Sequence, residues 1–120
     1  SAQTRAKGAK PALPRRNPKI PTHLVVTSGP LAGTRLPLRD KGVLIGRNPE
    51  CSLVLDDDFA SGRHARIIRG EDGWYIEDLG STNGTRLNGR PVPPHTPTPL
   101  ATGDRLELAV APERLVLLQT

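Results

Sequence analysis

Residues 42–92 read G-V-L-I-G-R-N-P-E-C-S-L-V-L-D-D-D-F-A-S-G-R-H-A-R-I-I-R-G-E-D-G-W-Y-I-E-D-L-G-S-T-N-G-T-R-L-N-G-R-P-V. Short apolar runs alternate here with turns. G-V-L-I-G (42–46) and S-L-V-L (52–55) are strand-like, H-A-R-I-I-R (64–69) alternates as a half-buried strand does, and E-D-G (71–73) is a hairpin turn into W-Y-I-E-D-L (74–79). The polar residues Arg47, Ser61, Arg63, His64, Thr82 and Asn83 fall at the strand ends. A rigid sheet scaffold that presents hydrogen-bond donors on its loops follows from this layout. Donors with no evident base, nucleophile or metal partner point to recognition rather than catalysis.

The flanks extend the same pattern. H-L-V-V-T (23–27) and T-R-L-P-L (34–38) are strands joined by the turn S-G-P-L-A-G (28–33), and Pro37 predicts an edge position for the second. G-S-T-N-G (80–84) is dense in turn formers, and T-R-L-N-G-R (85–90) predicts a short hairpin at Asn88–Gly89. Residues 91–99 hold too many prolines for a central strand, while 105–110 and 114–118 pair across A-P-E. About ten short strands without a helix predict an all-β sandwich with its loops clustered at one end.

The chain has 120 residues, one domain's worth, with only three aromatics (Phe59, Trp74, Tyr75), so Leu, Val and Ile must build the core. Its net charge of +5 suggests nucleic acid until it is divided. Residues 1–22 carry six Lys/Arg and no acid, whereas residues 23–120 carry eleven Lys/Arg against twelve Asp/Glu and are therefore −1. The basic excess lies in a Pro-rich segment without apolar periodicity, expected to be a disordered linker. Nucleic acid is accordingly disfavoured as a partner of residues 23–120. A start at Ser1 inside such a linker is expected of a piece of a longer chain. A single cysteine, Cys51, excludes an intramolecular disulfide and a Cys-rich metal site, and no apolar run is long enough to span a membrane.

Four pieces carry chemistry: Gly46-Arg47, Ser61-x-x-His64, Thr82-Asn83-Gly84 and Asn88-Gly89. The Arg47 guanidinium is a permanent cation whose fork of donors suits phosphate oxygens. Ser61 offers a hydroxyl, Gly62 leaves its backbone N–H approachable, and Asn83 can bond a ligand's main chain. Together they suit one phosphate on an extended peptide. Singly, each has a plainer reading: Arg47 as a surface ion pair, Ser61 and Thr82 as turn residues, His64 as a structural histidine. Arg63, Arg66 and Arg69 read as a solvated stripe or loop ends. A Ser61–His64–Asp78 triad lacks a nucleophile-elbow signature. Asp56-Asp57-Asp58 lacks calcium-loop spacing, His23, His64 and His95 lack zinc spacing, and there is no phosphate-binding or dinucleotide glycine motif.

In this order and spacing the pieces resemble the forkhead-associated (FHA) family, over residues 23–118. The resemblance implies an eleven-stranded β-sandwich that binds phosphothreonine peptides and is not an enzyme. It makes Arg47 and Ser61 phosphate ligands, places Thr82 at the phosphate or the threonine methyl, and sets Asn83 on the peptide main chain. Gly46, His64 and Gly84 become structural positions, with His64 bracing the loop of Ser61. Gly62 departs from the side-chain donor that many relatives carry there, a contact for which Arg63 could compensate. Residues 24–38 and 57–66 are similar to small actinobacterial FHA proteins with an N-terminal membrane helix, a role near serine/threonine kinases and a link to cell-wall synthesis. The implied partner is a phosphothreonine protein, a kinase or kinase substrate, met on the cytoplasmic side of a membrane that only a segment outside this sequence would reach. No cofactor is implied. The competing expectation is a phosphate-independent scaffold that uses the sheet face or residues Pro91–Pro99.

Overall fold

The computed structural model describes residues 20–56, 58–108 and 115–120, so most of the basic segment 1–22, Asp57 and residues 109–114, where the sequence placed the end of one strand and the start of the next, lie outside the described residues. The described residues form eleven short strands in chain order: β1 (His23–Val26), β2 (Arg35–Pro37), β3 (Val43–Gly46), β4 (Leu53–Val54), β5 (Ala65–Arg69), β6 (Trp74–Asp78), β7 (Arg86–Leu87), β8 (Arg90–Pro91), β9 (Thr98–Leu100), β10 (Arg105–Glu107) and β11 (Leu115–Gln119). They form two sheets, β2-β1-β11-β10-β7-β8 and β4-β3-β5-β6-β9, packed as an all-β sandwich.

Side-chain alternation explains which faces meet. In β1 Leu24 and Val26 are buried; in β5 Ala65 and Ile67 are buried while Arg66 between them faces water. Leu24, Val26, Leu106, Leu108 and Leu118 from one sheet meet Val43, Ile45, Leu53, Ala65, Ile67, Trp74 and Ile76 from the other. This period-2 burial is the main favourable term holding the layers together, each large aliphatic side chain contributing about 1.5–3 kcal/mol. Cross-strand neighbours of β5 and β6 are matched in pairs. Arg66 bonds Glu77 from Nε and Nη2, both at 2.8 Å, and the Arg69 guanidinium lies 5.3 Å above the Trp74 ring.

The expected hairpins form. β1 and β2 pair antiparallel, β5 and β6 pair with Gly70 N–H donating to the Gly73 carbonyl at 2.7 Å, and β10 pairs β11. At Asn88–Gly89 both residues take positive φ, 51° and 84°, the conformation a two-residue turn needs to match the right-handed twist of β7 and β8. Pro37 sits in β2 at the edge of the six-stranded sheet, where its missing N–H costs no ladder bond.

Two features go beyond the sequence pattern. Residues 98–100, inside the proline-rich stretch, form β9, which pairs β6 at the outer edge of its sheet, an edge being where strand prolines are tolerated. β4 runs parallel to β3, with Leu53 level with Ile45, so residues 47–52 double back over the sheet end. Near the N-terminus the main chain joins the sandwich at Thr22, whose N–H donates to Gln119 and whose carbonyl accepts from Leu38.

Candidate functional site

The site begins with strand register. Ile45 of β3, Ala65 of β5 and Asp78 of β6 lie side by side, so β3 ends, β5 starts and β6 ends at the same edge of the five-stranded sheet. The three loops at that edge carry Arg47, Ser61–Arg63 and Thr82–Asn83. Main-chain bonds fuse the first two: Arg47 N–H donates to the Ser61 carbonyl and Asn48 N–H to the Gly62 carbonyl, each at 3.0 Å. Gly46 makes this contact possible, because a Cβ there would run into the backbone carbonyl of Gly62.

His64 ties in the third loop. It is fully buried, its Nδ1 accepts the Ser61 backbone N–H at 3.1 Å, and its Nε2 lies 2.8 Å from the Gly84 carbonyl. A backbone N–H can only donate, so Nδ1 must be the bare nitrogen and Nε2–H must donate to Gly84. The imidazole is thus a neutral cross-brace, and both ring nitrogens are engaged by main chain. That arrangement does not present His64 as a base to the Ser61 hydroxyl, whose oxygen instead accepts the backbone N–H of Thr82 at 3.0 Å. The geometry is not that of a nucleophile–base pair.

Asp78 organises the loop of Thr82 and Asn83, a role that composition and spacing did not reveal. Its carboxylate accepts the backbone N–H groups of Gly80 and Ser81 at 3.0 Å, the Ser81 hydroxyl, and the Thr85 hydroxyl at 2.6 Å. The sequence signal was D-L-G-S, an acid followed two and three residues on by turn formers. Burial of Asp78 opposes its charge, but the hydrogen bonds from Ser81 and Thr85 outweigh it and hold the pKa below the usual carboxylate range.

The outer surface of the site is polar and open. Arg47 is about half exposed and pairs with the fully exposed Asp58 at 3.6 Å. Asn83 is exposed and its Nδ2 donates to the Phe59 carbonyl at 2.8 Å, fastening the second loop to the third. Arg63 lies beside this cluster with its guanidinium 3.8 Å from Glu50. Arg47, Ser61, Gly62, Thr82 and Asn83 are therefore brought together with Gly46, His64 and Gly84 behind them, and Arg63 stands at the rim. Cys51 is buried beneath, its thiol donating to the Gly62 carbonyl at 3.5 Å, and burial with the Glu50 charge pushes its pKa up. Among the described residues no group of three His, Cys, Asp or Glu side chains is arranged to hold a metal, and no helix is long and apolar enough to cross a membrane.

The profile of the FHA domain family matches residues 43–109. The chain belongs to the FHA domain family. Over 95 residues this FHA domain is 47% identical to the FHA domain-containing protein FhaB of Mycolicibacterium smegmatis, covering 78% of the chain and 61% of that relative. It is 37% identical over 110 residues to the oxoglutarate dehydrogenase inhibitor of Corynebacterium jeikeium, covering 92% of the chain and 73% of the inhibitor. Among solved structures it is similar to the N-terminal FHA domain of S. cerevisiae Rad53p in complex with a phosphothreonine peptide, with a TM-score of 0.68 and 28% identity over 83% of this chain and 94% of that one. The chain thus spans about three-fifths of the length of FhaB.

Proposed function

We propose that this FHA domain is a recognition module for phosphothreonine in an extended segment of a partner protein, with Arg47 and Ser61 as the phosphate ligands. The observation that carries the reading is the convergence of Arg47, Ser61, Thr82 and Asn83 from three loops locked by His64. Because the Ser61 oxygen already accepts from Thr82, its own proton is the part left to donate, and a phosphate oxygen is an apt acceptor. The exposed ion pair of Arg47 with Asp58 is weak and exchangeable, so a dianionic phosphate outcompetes the carboxylate. Asn83 keeps an amide oxygen for the peptide main chain, and Thr82 borders the threonine methyl. The complex of Rad53p with a phosphothreonine peptide supports the same chemistry on the same fold.

In this reading residues 23–120 are the binding unit and residues 1–22 a linker. The partner is a kinase or kinase substrate, engaged in the cytoplasm, with a connection to cell-wall synthesis or division. The decisive experiment is calorimetric titration with a phosphothreonine peptide, its plain counterpart and its phosphoserine counterpart. A charge-assisted bond is worth about 1.5–3 kcal/mol, so Arg47→Ala should weaken phosphopeptide binding about ten-fold or more. Equal affinity for phosphorylated and plain peptides overturns the phosphate reading. Equal affinity for phosphoserine overturns the methyl contact alone.

A further inference from the structure

Gly62 follows Ser61 without a side chain, and the space such a side chain would enter is already filled. A Cβ built on Gly62 lies 2.8 Å from Asn48 Oδ1, 3.2 Å from Cγ and 3.3 Å from Nδ2, so the terminal amide of Asn48 rests directly over this backbone. The placement is fixed by main chain on both sides. Asn48 N–H donates to the Gly62 carbonyl at 3.0 Å, Cys51 N–H donates to the Asn48 carbonyl at 3.0 Å, and one residue earlier Arg47 N–H donates to the Ser61 carbonyl. Asn48 is exposed, and among the described residues its amide makes no hydrogen bond. A side chain with two N–H donors is thus carried beside Arg47 and Ser61 on a backbone whose own bonds do not use those donors.

We propose that Asn48 is a ligand-contacting residue of the phosphopeptide site, its amide N–H groups supplying from the first loop the side-chain donor that Gly62 cannot supply from the second. The inference rests on the phosphothreonine reading above and adds a residue and a chemical role to it. It also accounts for the glycine at 62 in this chain, where the Asn48 amide occupies the volume a side chain would enter. Arg63, whose guanidinium reaches toward Glu50, is then not needed as the compensating donor.

The test uses the full chain, one synthetic phosphothreonine peptide and its unphosphorylated twin, with thermal melting beside each titration. Asn48→Ala keeps every main-chain bond named above and should weaken the phosphopeptide about ten-fold with little change in melting temperature. Asn48→Asp, the same shape with acceptors and a negative charge in place of donors, should weaken it further, and added salt should shrink the difference between the two variants. The double variant Asn48→Gly, Gly62→Asn moves the amide to the other loop and should recover affinity to within a few-fold of the original. Unchanged phosphopeptide affinity in both Asn48→Ala and Asn48→Asp overturns the inference, as does a folded double variant that stays as weak as Asn48→Ala. If the unaltered chain fails to distinguish the phosphopeptide from its twin, the phosphothreonine reading itself falls. Binding that is phosphate-dependent and lost in Arg47→Ala, yet indifferent to Asn48, removes only the role of Asn48.

Discussion

The Ser61 hydroxyl oxygen accepts the backbone N–H of Thr82 at 3.0 Å, across 21 residues of chain. This bond joins two of the three loops and orients the hydroxyl proton away from Thr82. Replacing Ser61 with Ala removes the join and the donor at once. We expect phosphopeptide affinity to fall about ten-fold or more, with a stability loss of only about 0.5–1.5 kcal/mol, the net worth of one such bond. Calorimetric titration and urea unfolding of Ser61→Ala check the two parts separately.

His64 is a brace, and its removal should be costly. His64→Ala leaves the Ser61 N–H and the Gly84 carbonyl without their partner and opens a cavity behind both loops. We expect about 3–5 kcal/mol of lost stability, read from the urea midpoint, and loss of phosphopeptide binding even at temperatures where the variant is folded. A variant as stable as the original would show that the ring does not hold the loops.

Gly46 is required by contact. In Gly46→Ala the new methyl meets the Gly62 carbonyl, which is main chain and can yield only by moving the loop of Ser61. The expected cost is about 1–3 kcal/mol, as for overpacking elsewhere, together with weaker phosphopeptide binding. Ser52→Ala, an exposed position of the neighbouring loop, should stay within about 0.5 kcal/mol and serves as the control.

Asp78 sets a pH dependence with a definite sign. Its folded pKa is lowered, so the unfolded chain binds the proton more readily, and the stabilisation is present in full above the ordinary aspartate value near 3.8. It is lost as pH falls from that value through the lower folded one, when the carboxylate gives up its bonds to Ser81 and Thr85. Urea unfolding between about pH 6 and pH 2.5 should show a steeper acid loss for the unaltered chain than for Asp78→Asn, which starts less stable and changes less. Parallel pH profiles would remove Asp78 from the acid response.

Much of this protein is written locally. The alternation in residues 64–69, the turn glycines, the positive φ at Asn88–Gly89 and the edge position of Pro37 are properties of a few adjacent residues, which is why the sandwich and most of its hairpins are legible in sequence. The spacing of Gly46-Arg47, Ser61-x-x-His64 and Thr82-Asn83-Gly84 likewise located the cluster, because each piece sits at a strand end and all three ends share one register. What local pattern cannot encode is which loops touch. β9 escapes notice because the prolines of residues 91–99 forbid a central strand and only an edge partner admits Pro99, and the parallel return of β4 depends on a loop that doubles back. The four bonds gathered by Asp78, the neutral bridge of His64 to Gly84, and the amide of Asn48 over Gly62 all join residues by packing of the two sheets and the approach of main chain at Gly46. Strand identity follows from side-chain period and turn conformation within the sequence, whereas the chemistry at the loop end follows from register, which only the tertiary structure decides.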